Sequence, residues 1–206
     1  MKPKISVVVF DLGNVLLPFD YSIAIARLNS ISPDLGNKFS LYSKENYQFH
    51  RSFERGDISN EDFISQMLKA LDNKIDSKCF CEIYSEIFIE NKPVTNLLPF
   101  LKKHYKLILL SNTNAIHQKY GWQKYKFLKY FDKLILSNEI NAVKPEEKIY
   151  RAAEEFSGQP SAEHLFIDDI LEYANAAQNI GWHAINYKSP ELLIKGLTEK
   201  GILYNE

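Results

Sequence analysis

A doubly wound parallel α/β sheet carrying an inserted block of helices is the fold class that this chain of 206 residues predicts. Three observations predict it. Short, unalternating apolar runs recur at 7–10, 107–110, 134–136 and 165–167, the pattern of strands buried on both faces of a parallel sheet, and His183-Ala184-Ile185 reads as a short fifth strand. From the second run onward, helical patterns alternate with these runs, as crossover connections require. Between the first two runs, about residues 19 to 92 contain no comparable strand and read as helical. The expected division is a core of 1–18 and 93–206, with a helical bundle at 19–92.

Taken in order, the first run holds three β-branched valines and Phe10, and ends at Asp11, with Gly13 two residues on to let the backbone turn. Ile23, Ala24, Ala26 and Leu28 suit a short helix. Ser59-Asn60-Glu61-Asp62 is a capping-box-like start, followed by Phe63, Ile64, Met67, Leu68 and Leu71 at helical spacing. Phe80, Ile83, Tyr84, Ile87 and Phe88 repeat that pattern, and Pro93 closes the block. A helix through Leu97, Leu98 and Leu101 leads to Lys106 and the second strand, which stops abruptly at Ser111-Asn112-Thr113-Asn114. The third strand leads to Lys144-Pro145-Glu146-Glu147, where Pro145 suits the first turn of a helix whose inner face is Ile149, Tyr150, Ala153 and Phe156. The fourth ends in Asp168-Asp169. A helix then runs to Gly181, a C-cap, before the fifth strand.

Hydrophobic residues make up 45% and charged residues 25%, which fits a globular chain and argues against disorder. A formal net charge of -1 removes the basis for a nucleic-acid surface or a polybasic membrane anchor. No apolar run approaches the length that crosses a bilayer, and Met1-Lys2-Pro3-Lys4 leads into the first strand without a signal-peptide core, so a cytoplasmic location is expected. Cys79 and Cys81 lack neighbouring metal ligands and read as reduced packing residues. The aromatic-rich segment from Tyr120 to Phe131 reads as packing or an interface.

Each strand ends in a polar group: Asp11, Ser111, Lys144 after the third, and Asp168 with Asp169. In an open α/β sheet these carboxyl edges line one crevice, where ligands bind. Three carboxylates brought together there repel one another without a cation, and Mg²⁺, which takes carboxylates, waters and phosphate oxygens, matches the set. Lys144, set against the positive end of a helix, calls for an anionic neighbour, and the Ser111 hydroxyl with backbone N-H groups around Asn112 can hold phosphate oxygens.

The segments Phe10-Asp11-Leu12-Gly13-Asn14-Val15-Leu16, Leu110-Ser111-Asn112-Thr113, Lys144-Pro145 and Phe166-Ile167-Asp168-Asp169 resemble the four motifs of the haloacid-dehalogenase-like hydrolase superfamily, in order and spacing along nearly the full chain. The resemblance implies a Rossmann-like core and makes the helical block that superfamily's cap. His50-Arg51-Ser52-Phe53-Glu54-Arg55-Gly56-Asp57-Ile58-Ser59 is similar to the cap segment of its sugar-1-phosphate phosphatase-like members. It further implies Asp11 as a nucleophile forming an aspartyl-phosphate, Ser111 and Asn112 as phosphoryl ligands, and Lys144 as the charge that neutralises and orients. Asp11, Asp169 and the Gly13 carbonyl would ligate Mg²⁺, with Asp168 acting through a water.

Two departures stand out. Gly13 occupies the position where phosphatases of this superfamily commonly carry a second aspartate, the acid and base whose loss typically costs ~10²–10⁴-fold. Asp20 is a stand-in candidate, with a hinge or cap as its blander role. Tyr173 replaces a common asparagine, for which Asn175 is a substitute candidate. In the cap, Arg55 is the candidate substrate contact, and His50 and Glu54 could join it. His117, after the Ser-Asn-Thr-Asn turn, could approach the site, with a surface helix as its blander place. The expected function is Mg²⁺-dependent hydrolysis of a small phosphorylated metabolite, a sugar phosphate for instance, with neither nucleic acid nor membrane as partner. Its rivals are a metal-free 2-haloacid dehalogenase using the same aspartate, and a non-catalytic phospho-acceptor or binding module.

Overall fold

The structure is a computed structural model that describes residues 4–202. Five parallel strands, β1 (Val7–Phe10), β2 (Lys106–Ser111), β3 (Lys133–Leu136), β4 (His164–Asp168) and β5 (His183–Asn186), form one sheet in the order β3-β2-β1-β4-β5. The fold is therefore the expected α/β class, with β1 at the centre. Chain direction across the sheet reverses beside β1, the switch point at which open α/β sheets bind ligands.

Alternation along each strand feeds two cores. Val8, Phe10, Leu107, Leu109, Leu165 and Ile167 face one side, against α6 (Lys92–Thr95), α7 (Leu98–His104) and α11 (Pro190–Glu199). Val7, Val9, Ile108, Leu110 and Phe166 face the other, against α9 (Glu147–Ser157) and α10 (Leu171–Asn179). Burial on both faces is why the strands read as continuous apolar runs.

A third cluster gathers the helices between β1 and β2: α1 (Tyr21–Ile31), α2 (Leu35–Glu45), α3 (Tyr47–Arg55), α4 (Asn60–Ala70) and α5 (Ser77–Ser85). Their inward residues include Leu28, Phe39, Phe53, Phe63, Met67, Phe80 and Tyr84. Ser59 caps α4 as its sequence demands, accepting from the Asp62 N-H at 3.0 Å. Cys81 is buried and Cys79 half-buried, both free.

Several local expectations change. Helix α5 stops at Ser85, so Ile87 and Phe88 lie beyond it, Phe88 packing against both its own bundle and the sheet core. Pro145 precedes the N-cap of α9 instead of entering its first turn, and the Lys144-Pro145 peptide is cis. Trp122 and Phe127 of the aromatic segment pack into the sheet core. His117 is not on a surface helix. It opens a wide π-type turn, His117–Trp122, and is buried with its ring stacked on Tyr84 at 4.1 Å.

Candidate active site

Strand register assembles the site. Phe10 pairs with Leu109 on one side and Ile167 on the other, so Asp11 emerges beside Asp168 at the carboxyl edge. Lys144 enters from the loop between a short helix, α8 (Ser137–Ile140), and α9. Its Nζ, fully buried, lies 2.7 Å from Asp11 Oδ1 and 2.6 Å from Asp168 Oδ2. Burial works against the Lys144 charge, but Asp11 and Asp168 outweigh it and push the ammonium up to about 12. Burial raises the Asp11 carboxyl as well. Lys144 opposes it, Asp168 and Asp169 add to it, and the result is about 7.

Oxygen atoms of Asp11, Asp168 and Asp169 lie within 4.8 Å of one another, which is compatible with a hard divalent cation. Their roles are unequal. Asp168 has both oxygens engaged, one by Lys144 and the other by the Ile170 N-H at 2.8 Å, so it orients Lys144 and closes the turn after β4. Asp169 is half-buried and takes one hydrogen bond from Asn14 Nδ2 at 3.2 Å. Burial and Asp168 together raise its carboxyl above the ordinary range, the mark of a carboxylate short of positive charge. The Gly13 carbonyl accepts the Val15 N-H at 2.7 Å, which leaves a lone pair for a further partner.

Asn112 ties the loops together. Its Oδ1 accepts from the Lys144 backbone N-H at 2.7 Å and its Nδ2 donates to the Lys144 carbonyl at 3.2 Å. Ser111 is buried one residue earlier, its hydroxyl 3.3 Å from the Asn112 carbonyl, and lines a small side pocket with Gly13 and His117.

The Gly13 position is tight. A Cβ there would stand 3.1 Å from Phe19 Cε1, so a side chain would have to shift the Phe19 ring by a few tenths of an ångström. Asp20 is no substitute. It caps α1, accepting from the Ser22 N-H at 2.8 Å and its hydroxyl at 2.6 Å, facing solvent.

Above the carboxylates opens a cavity of about 480 Å³, lined by Asp11, Asn112, Lys144 and Asp169 below and by α1 to α5 above. Arg55 does not line it. That side chain pairs with Glu146 and Asp57 at the rim of α9. One turn earlier on α3, Arg51 faces the cavity, donating to Glu54 Oε2 at 3.1 Å and to the Lys144 carbonyl at 3.0 Å. Sequence reasoning missed Arg51 because only the phase of α3 against the sheet separates the two arginines. Glu54 is half-buried there. Burial raises its carboxyl, but His50 and Arg51 outweigh that and hold it below the ordinary value. Tyr173 also lines the cavity, its hydroxyl 3.5 Å from Asn112 Nδ2 and its ring 5.1 Å from Lys144 Nζ. Asn175 is not among the lining residues.

Comparison with known proteins agrees with this geometry. A model of the family haloacid dehalogenase-like hydrolase matches residues 5–181. A HAD family enzyme from Bacteroides thetaiotaomicron, in complex with magnesium and inorganic phosphate, is 27% identical, with 89% of this chain and 94% of that one covered and a TM-score of 0.78. A predicted HAD-like family hydrolase from Porphyromonas gingivalis is 24% identical over 95% and 97%, TM-score 0.74. L-2-haloacid dehalogenase from Xanthobacter autotrophicus, with chloropropionic acid covalently bound, is 20% identical over 97% and 85%, TM-score 0.63. With its family model spanning most of the chain, this protein belongs to the haloacid dehalogenase-like hydrolases.

Proposed function

We propose that the protein is a Mg²⁺-dependent phosphatase of a small phosphorylated metabolite, working through an aspartyl-phosphate on Asp11. The observation that carries the reading is the set of three close carboxylates, two of which share one buried lysine. Lys144 neutralises part of that charge, and a divalent cation held by Asp11, Asp169 and the Gly13 carbonyl would neutralise the rest and polarise the phosphoryl oxygens. Asp168 supports through Lys144. The similar Bacteroides enzyme, complexed with magnesium and inorganic phosphate, favours the same pairing of ion and anion.

In this mechanism a carboxylate oxygen of Asp11 forms a bond to phosphorus as the ester P-O bond breaks. The departing oxygen keeps the electron pair and takes its proton from water, no carboxylate being available at Gly13. Lys144 holds the Asp11 carboxylate in place, while the Ser111 hydroxyl and Asn112 steady the phosphoryl group. Water then attacks the aspartyl-phosphate, releasing inorganic phosphate and restoring Asp11. Residues 19–92 act as a cap over the core of 1–18 and 93–206, excluding bulk water. Arg51, in place of Arg55, is the cap cation facing the substrate. The proposed setting is cytoplasmic, with no nucleic acid or membrane as partner; no helix among the described residues is long and apolar enough to cross a membrane.

The dehalogenase alternative shares the fold and also dispenses with a carboxylate at the Gly13 position. A carboxylate substrate would meet three carboxylates and one lysine already bound to two of them, which disfavours it. Inorganic phosphate release from a panel of phosphomonoesters, with Mg²⁺ and with chelator, tests the proposal. Release that needs Mg²⁺ and disappears in Asp11→Asn is expected. Equal release by Asp11→Asn would remove the nucleophile from the account.

A further inference from the structure

With glycine at position 13, the water of the hydrolytic half-reaction has no base beside the nucleophile. In an in-line displacement at phosphorus, that water arrives opposite the Asp11 oxygen, from the side that the alcohol has left. That side is the cavity under the helical bundle, so a base has to come from the bundle. Among the described residues of α1 to α5, Glu54 is the one carboxylate that lines it.

Glu54 also lines the small side pocket, of about 80 Å³, together with Gly13, Ser111 and His117. The two spaces share Gly13, Phe19, Tyr21, Glu54 and Asn112, so they adjoin at the Glu54 side chain. A pocket of that size admits water, which needs only about 10–15 Å³ of such volume and two or more polar partners. His117 is one of them. Its ring is buried, Nε2 meets the Tyr21 hydroxyl at 3.0 Å, and Nδ1 has no hydrogen-bond partner among the described residues. A buried ring nitrogen is costly unpaired, and water held in this pocket meets that need.

The Glu54 carboxylate is itself held in place. Arg51 grips Oε2 at 3.1 Å and, through its other terminal nitrogen, the Lys144 carbonyl at 3.0 Å, which Asn112 Nδ2 shares at 3.2 Å. The Glu54 backbone carbonyl accepts from Ser137 Oγ at 2.6 Å, which fixes this turn of α3 to the core. Oε1 stands 3.6 Å from His50 Nε2, beyond hydrogen-bond length, and keeps its accepting capacity for water. His50 and Arg51 hold the carboxyl below its ordinary value against the pull of burial, so it takes a proton at neutral pH and has none to give a departing alkoxide.

Resting on the phosphatase reading above, we infer that Glu54 is the base of the second half-reaction, taking a proton from water of the side pocket as that water attacks the aspartyl-phosphate. The water's electron pair forms the new P-O bond. The bond between phosphorus and the Asp11 oxygen breaks, its electrons return to the Asp11 carboxylate, and phosphate leaves as Glu54 passes the proton to solvent. The base comes from the cap, so hydrolysis requires the bundle seated over the phosphoryl group.

The test follows p-nitrophenyl phosphate, whose leaving group departs without a proton, in the full-length enzyme with Mg²⁺. Glu54→Gln should release a first equivalent of p-nitrophenol per active site and then turn over about 10²-fold or more slower than wild type. Acid quench with the radiolabelled ester should find the Asp11 peptide labelled nearly stoichiometrically in this variant and only in small, transient amounts in wild type. Glu54→Asp, which keeps a carboxylate, should recover at least about tenfold of the lost steady-state rate. Turnover of Glu54→Gln within about threefold of wild type overturns the inference, as does turnover lost from both variants with no label on Asp11, the result of a structural or substrate-binding role. Either result leaves the phosphatase reading standing while wild type releases phosphate. Wild type that neither releases phosphate from any phosphomonoester of the panel nor takes label fails the phosphatase reading, and the inference with it.

Discussion

Lys144 is fully buried between Asp11 and Asp168, and its removal would strand two carboxylates without a countercharge. Breaking a buried pair by deleting one partner typically costs about 3–5 kcal/mol, more than the pair contributes over an apolar replacement. Lys144→Met should therefore lower unfolding stability by about 3 kcal/mol in urea titration and abolish turnover together, whereas Asp11→Asn should abolish turnover while the fold persists. A Lys144→Met protein as stable as wild type would mean that the ion pair is not the anchor described. The two arginines of α3 make a sharper residue-level contrast. Arg51→Ala should raise KM about tenfold, because Arg51 faces the cavity and grips the Lys144 loop. Arg55→Ala should leave KM unchanged and alter stability by at most about 1 kcal/mol, its ion pairs being well exposed. Steady-state kinetics on the pair of variants reads both outcomes.

At the scale of elements, the C-terminal turn of α3 is the seam between helical bundle and sheet. Ser137 Oγ accepts from the Thr113 N-H at 2.9 Å and donates to the Glu54 carbonyl at 2.6 Å, tying β2, β3 and α3 at one hydroxyl. Gly56 ends α3 with φ at +85°, and a Cβ there would stand 2.5 Å from the Asn138 carbonyl oxygen. Only glycine meets both demands. Gly56→Ala should cost about 1–3 kcal/mol and raise KM by shifting Arg51, readable as a lower denaturation midpoint with a matching loss of affinity. The strands were legible from sequence because burial on both faces leaves an unbroken apolar run, and the Ser59 start of α4 because its cap is local chemistry. Helix α2 was not resolved as a separate element, since its stripe of Leu35 and Phe39 is short and its remaining face polar. The entry of Arg51 into the cavity, the close approach of Phe19 to Gly13, and the burial of His117 were not legible either. Each depends on a contact between segments dozens of residues apart, which no periodicity encodes.

Across the whole molecule, two histidines are buried as neutral rings. Burial depresses His117 well below its ordinary value of 6.5, with His50 adding to the effect, and burial likewise lowers His164. A lowered folded value means that the unfolded chain binds more protons in the window below about 6.5, so the stability these rings contribute is complete above that pH and is lost as pH falls through it. Asp11, raised to about 7, acts in the opposite sense over the same window, so the histidine share is the difference between wild type and a variant. Thermal unfolding of His117→Gln between pH 7.5 and 5 should fall less steeply than that of wild type. Identical slopes would contradict a neutral buried His117.

The catalytic proposal converges on one bond, that between an Asp11 carboxylate oxygen and phosphorus. Rapid acid quench of the enzyme turning over a radiolabelled phosphomonoester with Mg²⁺, followed by peptide mapping, looks for that bond directly. Label should appear transiently on the peptide containing Asp11, be released by hydroxylamine as an acyl phosphate is, and be absent from Asp11→Asn and from chelator-treated protein. Phosphate turnover with no labelled peptide, or label that stays on Asp11 without turnover, would contradict the account.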